Sequence, residues 1–426
     1  MKYYLVGIKG SGMAALANVL YDDGHTIQGM DTDQDIFTEK MLLSKDISID
    51  PLSFRNFGWV DLFIIGHNFM HSEVHQYLID HQYKWMEYHD FVSHYASHKT
   101  SIAISGTHGK TTTVGMLAET LQSFVPISML RGDGVGWGGR EKEYFVFEAC
   151  EYKNHFLCYH PDTILITNID YDHTDFFSSV KEYEKSFNEY VKNAKEIFIN
   201  YEDRAKISHD HVITYGLDSR ADYFCTDMIQ DEKGMIGTLR FKGGFVPFHF
   251  PFYGEHNLKH AISILAYCHH HGYDLKKAIV SLAKFSGVKR RMVQKIINDD
   301  VFIDDYAHHP KEIEATLEAI RLMYPSRKVI VFFKPDRYSR LISFQDDFIH
   351  ALHQADQSYV LPLYEDANGY HTSQILCRDD TIRYLADEKD LQDEKFNENK
   401  MIFLFMSSKK MDNWIDMIVK KRESKY

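Results

Sequence analysis

The amino-acid sequence predicts an α/β protein of three domains, each built on a mainly parallel sheet. Three observations carry that expectation. At about 150 residues per domain, a chain of 426 residues has room for roughly three cores. Short apolar runs alternate with stretches of helical period along the whole chain, which is the pattern of βαβ units. Two breaks interrupt it, a polar stretch at 93–99 and a glycine-and-arginine stretch at 287–291. They set expected domains at 1–98, 99–295 and 296–426.

The first block opens with an apolar run at 3–8, a glycine turn through Gly7, Gly10 and Gly12, then Met13, Leu16, Ala17 and Leu20. Those four recur at i, i+3, i+4 and i+7, one face of a helix. Gly24 stops the helix, and 26–30 resumes as a strand ending at Asp31. A buried strand is expected at 60–65. The second block begins with strand 101–105, a second glycine turn, and a helix with Val114, Leu117, Ala118 and Leu121 on one face. Strands at 144–147 and 163–167 each run into polar residues. Helices at 179–195 and 257–271 flank a more strand-like section at 212–253, and the glycine-dense 132–139 reads as a mobile loop. His269, His270 and His271, followed by Gly272, read as a helix C-terminus whose cations complement the dipole. In the third block, strands at 301–303 and 329–333 bracket a helix at 310–323 that starts on Pro310.

Composition narrows the classes. The chain is 44% apolar and 26% charged, ordinary for a globular protein. No stretch reaches the ~18 apolar residues of a membrane helix, and the N-terminus has no apolar signal core. Five scattered cysteines, with no C-x-x-C pair, read as reduced core residues of a cytoplasmic protein. Lys+Arg 48 against Asp+Glu 61 leaves a net charge of −13, which argues against nucleic-acid and anionic-membrane partners. It leaves room for small anionic substrates, which a few placed donors can hold.

The sharpest local signal is Gly106-Thr107-His108-Gly109-Lys110-Thr111-Thr112, set between a strand and a helix. Such a turn offers unpaired backbone N–H groups to phosphate, with Lys110 to reach the β/γ-phosphates and the Thr111 hydroxyl for Mg²⁺. Its spacing is G-x-x-G-K-T and not the general G-x-x-x-x-G-K-[ST]. Glu148 and Glu151 follow one strand, and Asn168-Ile-Asp-Tyr-Asp-His173 follows the next. Ligands of open α/β sheets bind beyond the carboxyl ends of strands, so both clusters are expected near the loop.

Taken together, these stretches resemble the Mur ligases. The carrying motifs are Val6-Gly-Ile-Lys-Gly-Ser-Gly-Met13, the phosphate loop, Phe147-Glu-Ala-Cys-Glu151, Thr167-Asn-Ile-Asp-Tyr-Asp-His173, Gly254-Glu-His-Asn257, Gly287-Val-Lys-Arg-Arg291, Asp304-Asp-Tyr-Ala-His-His-Pro310 and Pro335-Asp-Arg-Tyr-Ser-Arg340. The resemblance implies a Rossmann-like N-terminal domain for a UDP-sugar, a central P-loop ATPase-like domain and a C-terminal Rossmann-like domain bringing an amino acid. It further implies ATP and Mg²⁺, an acyl phosphate, and UDP-N-acetylmuramate and L-alanine as substrates, in a monomer or weak homodimer. By match, Glu148 and His173 would hold a second metal and Thr111 the ATP-bound one. Asn257, Arg291 and Asp305 would face the nucleotide. Arg337 and Arg340 would hold the alanine carboxylate, with Tyr306 and His309 lining that site and Lys110, Glu148, His173 and His309 forming the catalytic set.

The bare spacing Gly7-x-x-Gly10-x-Gly12 differs from a dinucleotide fingerprint, although Asp31 sits near the ribose-binding distance. The resemblance assigns Gly10, Ser11, Gly12, Met13 and Asp31 to the UDP-sugar, and the 132–139 loop to a place over the sugar. The chain departs from the family where His260 replaces a second Asn, Asp336 replaces a His, and Met406-Ser-Ser-Lys-Lys replaces a glycine turn. A sister ligase adding a peptide or another amino acid, a UDP-sugar-binding regulator without catalysis, and a nicotinamide dehydrogenase are the competing readings.

Overall fold

The computed structural model describes all residues except 35, 54–56, 232, 364–371, 388, 395, 397 and 424–426. Among the described residues, three sheets of five, ten and six strands follow one another along the chain.

The first sheet is wholly parallel. Lys2–Val6 lies at its centre, flanked on one side by Thr26–Asp31 and Ser48–Pro51 and on the other by Leu62–Ile65 and Trp85–Glu87. Strand order reverses across Lys2–Val6, which opens a crevice at its carboxyl end. The glycine turn lies there and leads into helix Ser11–Asp22, with Gly10 at its N-cap and no side-chain cap.

That helix buries the four expected residues and also Ala14, Ala15, Asn18 and Val19. Its second face is covered by a hairpin of the central sheet, Ile127–Leu130 with Gly136–Trp137. A Cβ at Gly136 would lie 2.2 Å from the Ala15 carbonyl oxygen, and one at Gly138 2.4 Å from that of Val19. The Gly138 and Gly139 N–H groups donate to Asp22 and Asp23. The segment expected as a mobile loop is therefore a packed strap, its glycines serving close backbone approach.

In the central sheet, the phosphate-loop strand Thr100–Ser105 runs parallel between Tyr144–Glu148 and Thr163–Ile166. Glu196–Asn200 and Ile213–Gly216 continue outward in parallel. Then Tyr223–Asp231, Gly234–Phe241 and Gly244–Phe250 form an antiparallel meander. Two-residue connections can join only antiparallel neighbours, which is why the parallel pattern ends here. Helix Glu255–His270 closes this sheet and stops within the histidine run, as expected.

The third sheet starts with the antiparallel pair Val293–Ile297 and Asp300–Asp305 and continues in parallel through Ile402–Met406, Val329–Phe333, Gln357–Val360 and Ile382–Tyr384. Helix Pro310–Met323 has the predicted bounds. His309 is its N-cap and Glu312 completes a capping box.

The cores explain how the parts are joined. One apolar cluster runs from Leu5 and Leu16 of the first sheet's layer into Phe147 and Ile164 of the central sheet. The third sheet has clusters of its own, built from Val331, Leu317 and Leu404 on one face and Phe332 and Phe403 on the other. It meets the central domain through ion pairs such as Asp170 with Lys311 and Asp172 with Arg340, and through the Tyr171 and Phe344 rings. Among the described residues, no helix is long and apolar enough to cross a membrane.

Candidate functional site

The strand Thr100–Ser105 ends in a turn whose glycines take left-handed φ, 128° at Gly106 and 79° at Gly109. Helix Lys110–Leu121 then starts with no side-chain cap, leaving its first N–H groups for an anion. A Cβ at Gly106 would collide with Thr167 Oγ1, and one at Gly109 would lie 2.3 Å from the His260 ring. His260, where the family carries Asn, therefore packs under the loop.

Lys110 Nζ donates to the carbonyls of Gly106 and Thr107 and, at 2.8 Å, to Glu151 Oε2. Glu151 is fully buried. Its other oxygen lies 3.2 Å from His173 Nε2. Burial opposes both charges, yet Lys110 and His173 hold the Glu151 carboxyl down at about 2. Glu151 in turn keeps the Lys110 ammonium above the ordinary lysine range. Thr107 Oγ1 is held by the Asp170 backbone and by Tyr183.

Thr111 Oγ1 donates to Glu148 Oε2 at 2.9 Å, and the Gly132 N–H donates to the same oxygen. Paired hydroxyl and carboxylate oxygens are the hard donors Mg²⁺ takes. His173 does not share this corner, because its Nε2 faces Glu151 and its ring stacks on Tyr152. Its Nδ1 is buried without a hydrogen-bond partner. Among the described residues, no three His, Cys, Asp or Glu side chains converge on one metal-sized point.

Beyond the loop lies a cleft of about 380 Å³ between the central and third domains, lined by His108, Gly109, Thr112, Asn257, Arg291 and Asp305 among others. Asn257 is anchored through Nδ2 on the Tyr253 carbonyl. Asp305 spends both oxygens on the N–H groups of Met292 and Ala307, and burial keeps its carboxyl above the ordinary range despite Arg291. Arg291 lies over the Tyr306 ring and 3.5 Å from Glu312.

His309 borders the same region, its ring 4.7 Å from that of His108. Burial and His108 lower it to about 3. Its Nδ1 accepts from the Lys311 N–H, so the neutral ring carries its proton on Nε2 and presents a donor there. Burial likewise lowers His260 and His89 to about 3. In the unfolded chain these rings take up protons near pH 6.5. The unfolded state therefore binds more protons between about pH 6.5 and pH 3, and stability falls on acidification through that window. Thermal unfolding followed from pH 8 to pH 5 is expected to show a midpoint that drops below about 6.5. A flat profile contradicts the burial argument.

The two arginines of the third domain differ. Arg337 is partly open, with Asp175 at 3.5 Å and the Tyr152 ring beneath it. Arg340 is 4% exposed. It donates from Nε and Nη2 to the two oxygens of Asp172, each at 3.0 Å, and from Nη1 to Asp336. Asp336 also accepts from Ser408 Oγ. Two departures from the family pattern thus meet at one point. The carbonyls of Ser407 and Lys409, in the segment that lost its glycine turn, are held by Arg290.

In the first domain, a Cβ at Gly12 would lie 2.6 Å from the Tyr88 hydroxyl, so Gly10 and Ser11 begin a helix closely roofed by that ring. Asp31 gives one oxygen to the Lys9 N–H and the other to the Thr32 N–H. It shapes the turn from within. Met13 is buried. Sequence reasoning missed the part of Asn168, which both accepts from and donates to the His108 backbone, and that of Glu312, whose only local signal was a capping box.

Three α/β domains, with a phosphate loop opening an uncapped helix in the second and the third lining the cleft beside it, define a nucleotide-binding enzyme fold of the multidomain ligase kind. The chain belongs to the Mur ligase family. Family models match it as the Mur ligase catalytic domain over 2–55, the Mur ligase middle domain over 104–268 and the Mur ligase glutamate ligase domain over 290–402. It is 40% identical over 385 residues to a UDP-N-acetylmuramate–L-alanine ligase of Streptococcus equi subsp. equi, covering 88% of this chain and 87% of that one. The Streptococcus thermophilus protein of the same name is also 40% identical, over 88% and 86%. Among solved structures, UDP-N-acetylmuramate-alanine ligase from Thermotoga maritima shares the fold at a TM-score of 0.84, with 23% identity and full coverage of both chains. A murein peptide ligase from Psychrobacter arcticus follows it at 0.70, with 20% identity over 99% and 98%.

Proposed function

We propose that this protein joins the amine of L-alanine to the carboxylate of UDP-N-acetylmuramate at the expense of ATP, in peptidoglycan precursor synthesis. The observation that carries the reading is the uncapped phosphate loop with Lys110 held on buried Glu151, supported by 40% identity to alanine ligases over most of the chain. A carboxylate is a poor electrophile. Its oxygen attacks the γ-phosphorus and releases ADP, and the resulting acyl phosphate is attacked by the alanine amine, which expels phosphate. Lys110 and the loop N–H groups meet charge on the transferring phosphoryl group.

Thr111 and Glu148 are the residues fitted to hold Mg²⁺, which when bound neutralises phosphate charge. His173 acts on Glu151 and through it on Lys110. Arg337, open beside Tyr152, receives the alanine carboxylate, and His309 Nε2 supplies a neutral donor nearby. The Gly7–Gly12 turn, with Ser11 and Met13, holds the UDP-sugar. Domain edges near 98 and 295, a cytoplasmic location and a monomer or weak homodimer complete the reading. Phosphate release measured with UDP-N-acetylmuramate, ATP and a panel of amino acids tests it. L-Alanine is expected to give the highest kcat/KM, and strong preference for another amino acid or a peptide overturns the assignment.

A further inference from the structure

The phosphate loop touches the third domain. His108, inside the loop, lies with its Nδ1 3.4 Å from Oε1 of Glu312, a carboxylate of the third domain. The other oxygen, Oε2, accepts the N–H groups of His308 and His309. His308 and then His108 and Arg291 outweigh its burial and hold the Glu312 carboxyl well below the usual range. The backbone of His108 is fixed separately, by Asn168. What remains is Nε2, which is buried with no hydrogen-bond partner on a residue that lines the cleft. A buried nitrogen left unmatched in a polar cleft is costly unless a ligand supplies the missing group.

We propose that Glu312 is a positioning residue for nucleotide binding, acting through His108: it fixes the ring so that Nε2 meets the bound nucleotide, and the third domain thereby completes the phosphate loop. The inference rests on the reading of this cleft as the nucleotide site. Its consequence is that the nucleotide loop reaches full affinity only with the third domain docked.

The capping box supplies a clean test, because Gln serves in it as well as Glu. Glu312→Gln keeps the helix cap and removes the charge, and His108→Asn keeps a donor near the Nδ1 position but lacks an atom at Nε2. Binding of a fluorescent ADP analogue is measured for the wild type, E312Q, H108N and the double variant, beside thermal midpoints. Each single variant is expected to lose affinity about tenfold, and the double variant no more than either, the signature of coupled neighbours. Midpoints should stay near wild type. Wild-type affinity in E312Q, or losses that multiply in the double variant, overturns the inference while leaving the nucleotide site standing. Failure of the wild type to bind the analogue overturns both.

Discussion

Lys110→Met is expected to lower alanine-dependent phosphate release by about 10³-fold, the scale on which one preorganised charge donor at a transition state is worth. The expectation follows from where the ammonium sits. Its three N–H donors are spent on two loop carbonyls and Glu151, which hold the positive charge at the loop, and a direct bond to the transferring phosphoryl group replaces one of the three. The same substitution carries a structural cost. Glu151 is fully buried, and removing its strongest partner leaves a carboxylate with His173 and Tyr183 alone. Breaking such a pair costs about 3–5 kcal/mol, so the thermal midpoint should fall as well.

The two effects separate in a second variant. Lys110→Met combined with Glu151→Gln removes the stranded charge, and the midpoint is expected to recover while turnover stays low. Activity and stability measured on the single and double variants decide it. A single variant within tenfold of wild-type turnover would put the chemistry elsewhere.

Local physics made part of this legible from sequence. The phosphate loop announces itself because glycine, strand and helix must be contiguous to build it. The start of helix Pro310–Met323 was legible because proline at the first helical position marks it. The strap at 132–139 was misread because glycine reports two opposite things, freedom and close approach, and only Ala15 and Val19 opposite it tell which. The pairing of Arg340 with Asp172 spans 168 positions and has no local signature. Its arginine was expected on the substrate because a guanidinium fork fits a carboxylate of either origin. Glu312 was hidden for a related reason, since a capping box accounts for it fully until the fold brings His108 alongside.

Arg340→Met is the second large effect, and it concerns closure. The segment 170–175 of the central domain meets the third domain through Asp170 with Lys311, Asp172 with Arg340, Thr174 with Ser343 and Asp175 with Arg337. Of these, only the Asp172–Arg340 pair is nearly free of solvent on both sides, at 6% and 5% side-chain exposure. Arg340 also holds Asp172 far below the ordinary carboxylate range, so the substitution strands Asp172 and Asp336 as buried anions. The cost of about 3–5 kcal/mol falls on docking, because the third domain keeps its own cores. That is enough to shift a closed-to-open ratio by roughly 10²–10⁴. Small-angle scattering should show a larger radius, and kcat/KM for alanine should drop by about 10². Arg340→Lys should not rescue it, since one ammonium cannot reproduce two parallel bonds to Asp172. Asp172→Asn separates a latch from a substrate ligand. A latch predicts that it shares the enlarged radius and the lost kcat/KM, whereas an arginine that binds the alanine carboxylate directly predicts a wild-type radius with the amino-acid KM unchanged or lowered.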